Sequence, residues 1–198
     1  LIISGNEKFV VLGAGSSFQA LRWIGGDFEI VNIFFRIHKH IWRSCTYRYG
    51  QLKIMGNPAL ISLIYSFSQL KFVLDGLFIA FNKRLNNFES NFNSLGTASI
   101  IDISENSKLE SIHRSFSALK TMNGNLTIEA NRNLKSITGS FGVLANLHGS
   151  LSIIDNDNIR EIDKHSFKSL QAIGDSLVIR KSGHLSEIVN SFSKLESI

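Results

Sequence analysis

A single cysteine, Cys45, stands in a chain of 198 residues. No disulfide can close within it, and a zinc site built on paired cysteines is excluded. His38 and His40 lie near Cys45 but do not supply a four-ligand spacing, so no metal is expected. Between Ile30 and Leu74 there is no aspartate or glutamate, only six lysines and arginines, which makes the formal charge of +5 a local feature. No pair of carboxylates recurs or stands apart in a way that supports acid–base chemistry, so no catalytic residue, no cofactor and no enzymatic activity are expected. The glycine-rich run Gly13-Ala14-Gly15-Ser16-Ser17 lacks the third glycine of a dinucleotide fingerprint and the Gly-Lys-Ser/Thr ending of a phosphate-binding loop. A transmembrane segment is also missing.

What is present is a repeat. In the stretch from Asn123 to Leu147 the apolar residues Leu126, Ile128, Leu134, Ile137, Phe141, Leu144 and Leu147 fall at offsets 0, 2, 8, 11, 15, 18 and 21, with Asn131 at offset 5. Other copies begin at Leu52, Leu77, Ile101, Leu151 and Leu177, spaced 24 to 26 residues apart, and a period in that range is the signature of a solenoid. The copy at Leu151 takes one extra residue before Phe167, and Ser182 fills the asparagine slot of the last copy.

Each slot has a physical reason. A Leu-x-Ile triplet puts two side chains on one face of a short strand and the middle one on the other, so successive copies stack into a parallel sheet. An asparagine three residues beyond it can pair its amide with backbone groups where the chain turns inward. Asn57, Asn82, Asn106, Asn131 and Asn156 are expected to form a buried ladder. Phe67, Phe92, Phe116, Phe141, Phe167 and Phe192 are expected to stack as a second internal spine, preceded in five of six cases by serine.

The repeat favours one elongated domain over residues 1–198, of about eight coils. Coil one fits with two extra residues before Phe18, where the glycine-rich run reads as a widened turn. The coil over 25–49 is degenerate: Ile33 replaces the asparagine, and Ile33, Ile37 and Ile41 share the face of a short amphipathic helix. Its cations Arg36, Lys39, Arg43 and Arg48 read as a solvated basic edge, since no nucleic-acid-binding motif accompanies them. Nucleic acid is therefore not an expected partner. Leu1 is not an initiator methionine and Ile198 stops in an apolar slot without a polar terminal repeat, so the chain reads as a fragment of a longer protein. His113, His148, His165 and His184 fall in no common slot and read as exposed turn residues. Asn125-Leu126-Thr127 is an N-glycosylation sequon whose asparagine should point outward.

The recurring pattern G-x-L-x-I-x-x-N-x-x-L-x-x-I-x-x-S-F-x-x-L-x-x-I, seen as GNLTIEANRNLKSITGSFGVLANL and GSLSIIDNDNIREIDKHSFKSL, resembles the receptor L domain. Insulin-receptor and epidermal-growth-factor-receptor kinases contain such domains. The resemblance covers Gly50 to Ile198, and Leu1 to Ile30 less fully. It implies a right-handed β-helix related to leucine-rich repeats, an extracellular or cell-surface location, and a role in protein recognition. The disulfides common in that family cannot form here. A leucine-rich repeat proper is the neighbouring reading, disfavoured because serine, glycine and asparagine between the apolar slots leave no strong helical segment.

Function is then expected on the sheet face, as a binding module for a protein or glycan ligand. The outward residues of successive strands are Glu29, Lys53, Phe78, Asp102, Thr127, Ser152 and Val178, flanked by Met55, Glu129, Ile154 and Arg180. With strands about 4.8 Å apart, eight coils offer a strip of nearly 40 Å. The candidate ligand-binding set is Lys53, Phe78, Asp102, Thr127, Glu129, Ile154, Val178 and Arg180. The competing expectation is a structural cell-surface or cell-wall protein without a discrete ligand.

Overall fold

The computed structural model describes residues 2–4, 11–12, 23–24, 27–31, 36–37, 47–48, 50–63 and 66–198. The expectations placed on Gly13 to Ser17 and on His38, Lys39, His40, Arg43 and Cys45 lie outside those residues. The fold is a parallel β-solenoid of the right-handed β-helix kind, with about six turns after Gly50 and no helix among the described residues.

Each coil contributes to three faces. On the first lie Ile2–Ser4, Phe28–Val31, Gln51–Met55, the ends of Phe72–Ala80 and Thr97–Ser104, then Leu126–Glu129, Leu151–Ile154 and Leu177–Arg180, all paired in parallel. The Leu-x-Ile triplets are in exact step: Leu52 opposes Leu77, Leu126 opposes Ile101 and Leu151. Burial alternates along these strands as strand geometry requires, with Leu126 and Ile128 sealed and Thr127 and Glu129 partly open. The second face is thinner, with single bridges joining Ser62 to Asn87, Asn87 to Ser111 and Ser111 to Ser136, and a short pair between Glu161–Ile162 and Glu187–Ile188. The third holds Thr121–Met122, Asn146–Leu147 and Ala172–Ile173. Arg36–Ile37 pair with Val11–Leu12 as strand, so the helix considered around Ile37 is not formed at those two residues.

The three-residue spacing between slots comes from tight turns rather than a helix. Leu134 N–H donates to the Asn131 carbonyl at 2.8 Å, and Leu144 N–H to that of Phe141 at 3.1 Å. The same bond closes Leu109 on Asn106 and Leu119 on Phe116. Each turn brings the next apolar residue back inside three positions later. A left-handed residue precedes each ladder position: Gly56, Phe81, Glu105, Ala130, Asp155 and Lys181. Five of these carry a Cβ, at about 1–2 kcal/mol each, a strain the neighbouring ladder must outweigh.

Two internal columns run through the coils. Asn131 Oδ1 accepts from both the backbone N–H and the side-chain amide of Asn106, at 3.1 and 3.2 Å, while Asn131 Nδ2 donates to the Ile103 carbonyl at 2.8 Å. The pattern repeats from Asn57 to Asn82 and from Asn82 to Asn106. At the next level the Asn131 N–H still donates to Asn156 Oδ1 at 3.1 Å and Asn156 Nδ2 to the Ile128 carbonyl at 2.8 Å, but Asn156 Nδ2 also turns back to the Ile154 carbonyl, and the Ser182 hydroxyl in the following slot is buried without a partner. The phenylalanine rings from Phe67 to Phe192 stack face to face at 5.1–5.5 Å. Offset stacking at that spacing adds about 0.5–1.5 kcal/mol per pair to the burial itself.

Coils come close at the corner between the third and first faces. A Cβ added at Gly174 would sit 2.0 Å from the His148 carbonyl oxygen, whereas one added at Gly96 meets nothing within 4 Å. Gly174→Ala is expected to cost about 1–3 kcal/mol, because backbone must move to admit the methyl. Gly96→Ala should be neutral or slightly stabilising. Urea denaturation of the two variants side by side checks this, and equal midpoints would contradict the close approach.

Candidate binding face

The strand register decides which outward residues meet. Lys53 opposes Glu29 and Phe78, Phe78 opposes Asp102, Asp102 opposes Thr127, and the line continues through Ser152 to Val178. Two residues further along each strand a second row runs from Val31 through Met55, Ala80, Ser104, Glu129 and Ile154 to Arg180. The structure thus brings Lys53, Phe78, Asp102, Thr127 and Val178 into one row, and Glu129, Ile154 and Arg180 into its neighbour.

The members of these rows differ in how free they are. Lys53 Nζ lies 2.7 Å from Glu29 Oε1, an ion pair between adjacent rungs that spends part of the lysine's charge within the face. Phe78 leans over Gly76: a Cβ on that glycine would come within 2.6 Å of the ring edge. The ring therefore covers a glycine on the same strand, an arrangement that shields sheet backbone from water. Arg180 is exposed, while Thr127, Glu129, Ile154 and Val178 are half-buried.

Asp102 is the least comfortable group on the face. Its Oδ1 is buried with no hydrogen-bond partner. Burial raises its pKa above the ordinary carboxylate value, and a hydrogen bond with Ser104 partly opposes that shift. A folded-state pKa above the unfolded one means that the native state holds the proton to higher pH. This carboxylate costs stability above its folded pKa and costs none below its unfolded value. Asp102→Asn should accordingly raise the melting temperature at pH 7. Thermal melts from pH 7 down to pH 3 should show that advantage closing, and a constant difference across the range would refute it.

Two exposed apolar side chains bracket Phe78 on its own coil: Leu74, 45% exposed, and Phe81, 51% exposed. Phe81 also sits in the left-handed region, at a φ of 58°. A bulky aromatic residue is thus held against its backbone preference and about half exposed, three residues beyond Phe78 in sequence. Sequence reasoning passed over it. The available signal was a phenylalanine in the slot that holds Gly56, Glu105, Ala130, Asp155 or Lys181 in other coils.

Asn125 is exposed just before its strand, and its Oδ1 accepts the Ser150 N–H at 2.9 Å. Among the described residues there is no group of three or more metal-ligating side chains. No helix among them is long and apolar enough to cross a membrane. Comparison with protein-family models, with curated proteins and with solved structures finds no match.

Proposed function

We propose that this chain is a binding module, acting outside the cell or at its surface, which recognises a protein or glycan ligand through the exposed face of its parallel sheet. The observation that supports it is the unbroken register from Glu29 to Val178, which aligns seven outward side chains of mixed chemistry in one row. Apolar, charged and hydroxyl groups all occur there. Such a mixture suits the apolar centre and polar rim of a protein contact better than it suits a polyanion. Phe78 and Phe81 supply the aromatic surface in which interface binding energy concentrates. The resemblance to receptor L domains points the same way, and the exposed sequon at Asn125 suits a secreted glycoprotein.

The test is a biotinylated tetramer of the chain used to capture partners from cell surfaces and from a panel of immobilised glycans. A captured partner is then titrated against Phe78→Ser/Asp102→Asn and against Lys108→Glu, which alters a turn off the strip. Loss of about 2 kcal/mol of binding, roughly 30-fold, in the double variant alone would support the reading. A partner that binds the double variant as tightly as wild type does not use this face.

A further inference from the structure

The outer corner that follows the second face has a notch of about 330 Å³, lined by residues of three successive coils. It arises by subtraction. At the left-handed position of this corner one coil has Arg114, the next has Gly139 and the last has Asn190. Just beyond the stacked phenylalanines the same central coil has Gly142, where its neighbours have Ser117 and Lys168. The central coil therefore contributes side chains only from Thr138 and Val143, and the coils on either side stand about 10 Å apart across the gap, two strand spacings.

Those flanking coils fill the rim with donors. On one side are His113 and Arg114; a Cβ on Gly139 would lie 3.5 Å from Arg114 Cγ and 3.9 Å from His113 Cε1. On the other are His165 and Lys168. In the coil of Phe167, which carries one extra residue, the His165 carbonyl lies within 2.8 Å of a Cβ placed on Gly142, and Lys168 Cε within 3.6 Å. Sequence slots separate His113 from His165, yet both line one cavity. Thr138 Oγ1 accepts from Ser136 at 2.9 Å, which leaves its own proton to donate. The lining holds no carboxylate. The nearest acid by sequence, Asp163, is engaged by the His165 N–H at 3.1 Å and the Ser166 hydroxyl at 2.8 Å. Ion pairs among the described residues join Lys53, Arg132 and Lys135 to acids, and neither Arg114 nor Lys168 takes part in one.

We propose that this notch is a binding site for a small ligand bearing a tetrahedral oxyanion, a phosphate or sulfate ester. Arg114 offers a planar fork that matches two such oxygens, Lys168 a point charge from the opposite wall, and the imidazoles and the Thr138 hydroxyl further donors. Its volume suits a group the size of a monosaccharide ester rather than a polymer segment. The site lies on a different corner from the sheet strip and stands independently of any ligand bound there.

The experiment is amide-resolved NMR titration of the intact chain with glucose 6-phosphate, glucose 6-sulfate, inorganic phosphate and glucose. Saturable shifts at Arg114, Gly139 and Lys168 with either ester, and none with glucose, are expected; the relative affinities of the two esters and of free phosphate identify the source. Arg114→Gln/Lys168→Gln should weaken the preferred ester at least tenfold. Gly139→Asn should abolish binding by filling the notch. It should still fold, because Asn190 occupies the equivalent backbone position at a φ of 52°, and an unchanged melting temperature verifies that. No saturable shift with any anion, or binding that survives a folded Gly139→Asn, overturns the proposal.

Discussion

Asn131→Ala is expected to lower the unfolding free energy by about 4 kcal/mol, since each buried polar group stripped of its partner costs roughly 1–3 kcal/mol. The substitution strands three of them: the Asn106 backbone N–H, one proton of the Asn106 amide and the Ile103 carbonyl, all bonded to the Asn131 side chain at 2.8–3.2 Å. Water cannot replace the lost partner, because Asn106 and Asn131 are both 0% exposed. A domain of this size has only about 5–15 kcal/mol in total, so the loss approaches global unfolding. Urea denaturation followed by circular dichroism measures it. Asn93→Ala, at an exposed position on another turn, provides the baseline and should stay within about 0.5 kcal/mol of wild type. A loss below 1 kcal/mol for Asn131→Ala would mean that the column of amides is not what holds the turns inward.

That column also shows why the fold was legible in the residues and the surface chemistry was not. Inward positions are constrained alike at every level: Leu126, Ile101 and Leu151 occupy one rung-to-rung environment, as do Asn106 and Asn131, so the same residue types recur and the period stands out. The slots at three-residue spacing resemble a helical stripe. Their rigid coupling to Leu-x-Ile and to glycine and serine favours turns, and the Leu134-to-Asn131 and Leu144-to-Phe141 bonds are such turns. Outward positions face only solvent or one neighbour, so nothing makes them repeat. The left-handed slot accepts glycine, phenylalanine, glutamate, alanine, aspartate and lysine alike, which hid both its geometry and the exposure of Phe81. The leaning of Phe78 on Gly76 and the pairing of Lys53 with Glu29 depend on side-chain directions that spacing does not encode. The notch beside Gly139 combines two differences, small residues in one coil and an insertion in the next.

Phe141→Ala and Phe192→Ala remove the same side chain from the same slot, yet the first should cost about 3–5 kcal/mol and the second clearly less. Phe141 is fully buried between Phe116 at 5.1 Å and Phe167 at 5.5 Å. Phe192 is only partly buried and touches one ring of the column, Phe167, at 5.3 Å. In a stack where each coil contacts only its neighbours, stability is a sum of coil and interface contributions, so a mid-stack cavity weakens two interfaces and a last-coil cavity one. Hydrogen exchange separates the cases further. Phe192→Ala should lose amide protection only in the last coil, beyond about Ser176, because that coil can open without the rest. Phe141→Ala should lose it on both sides of its own level, reaching the strands Thr97–Ser104 and Leu151–Ile154. Equal costs and uniform loss of protection in both variants would show the coils unfolding as one cooperative block, and the nearest-neighbour account of the solenoid would fail.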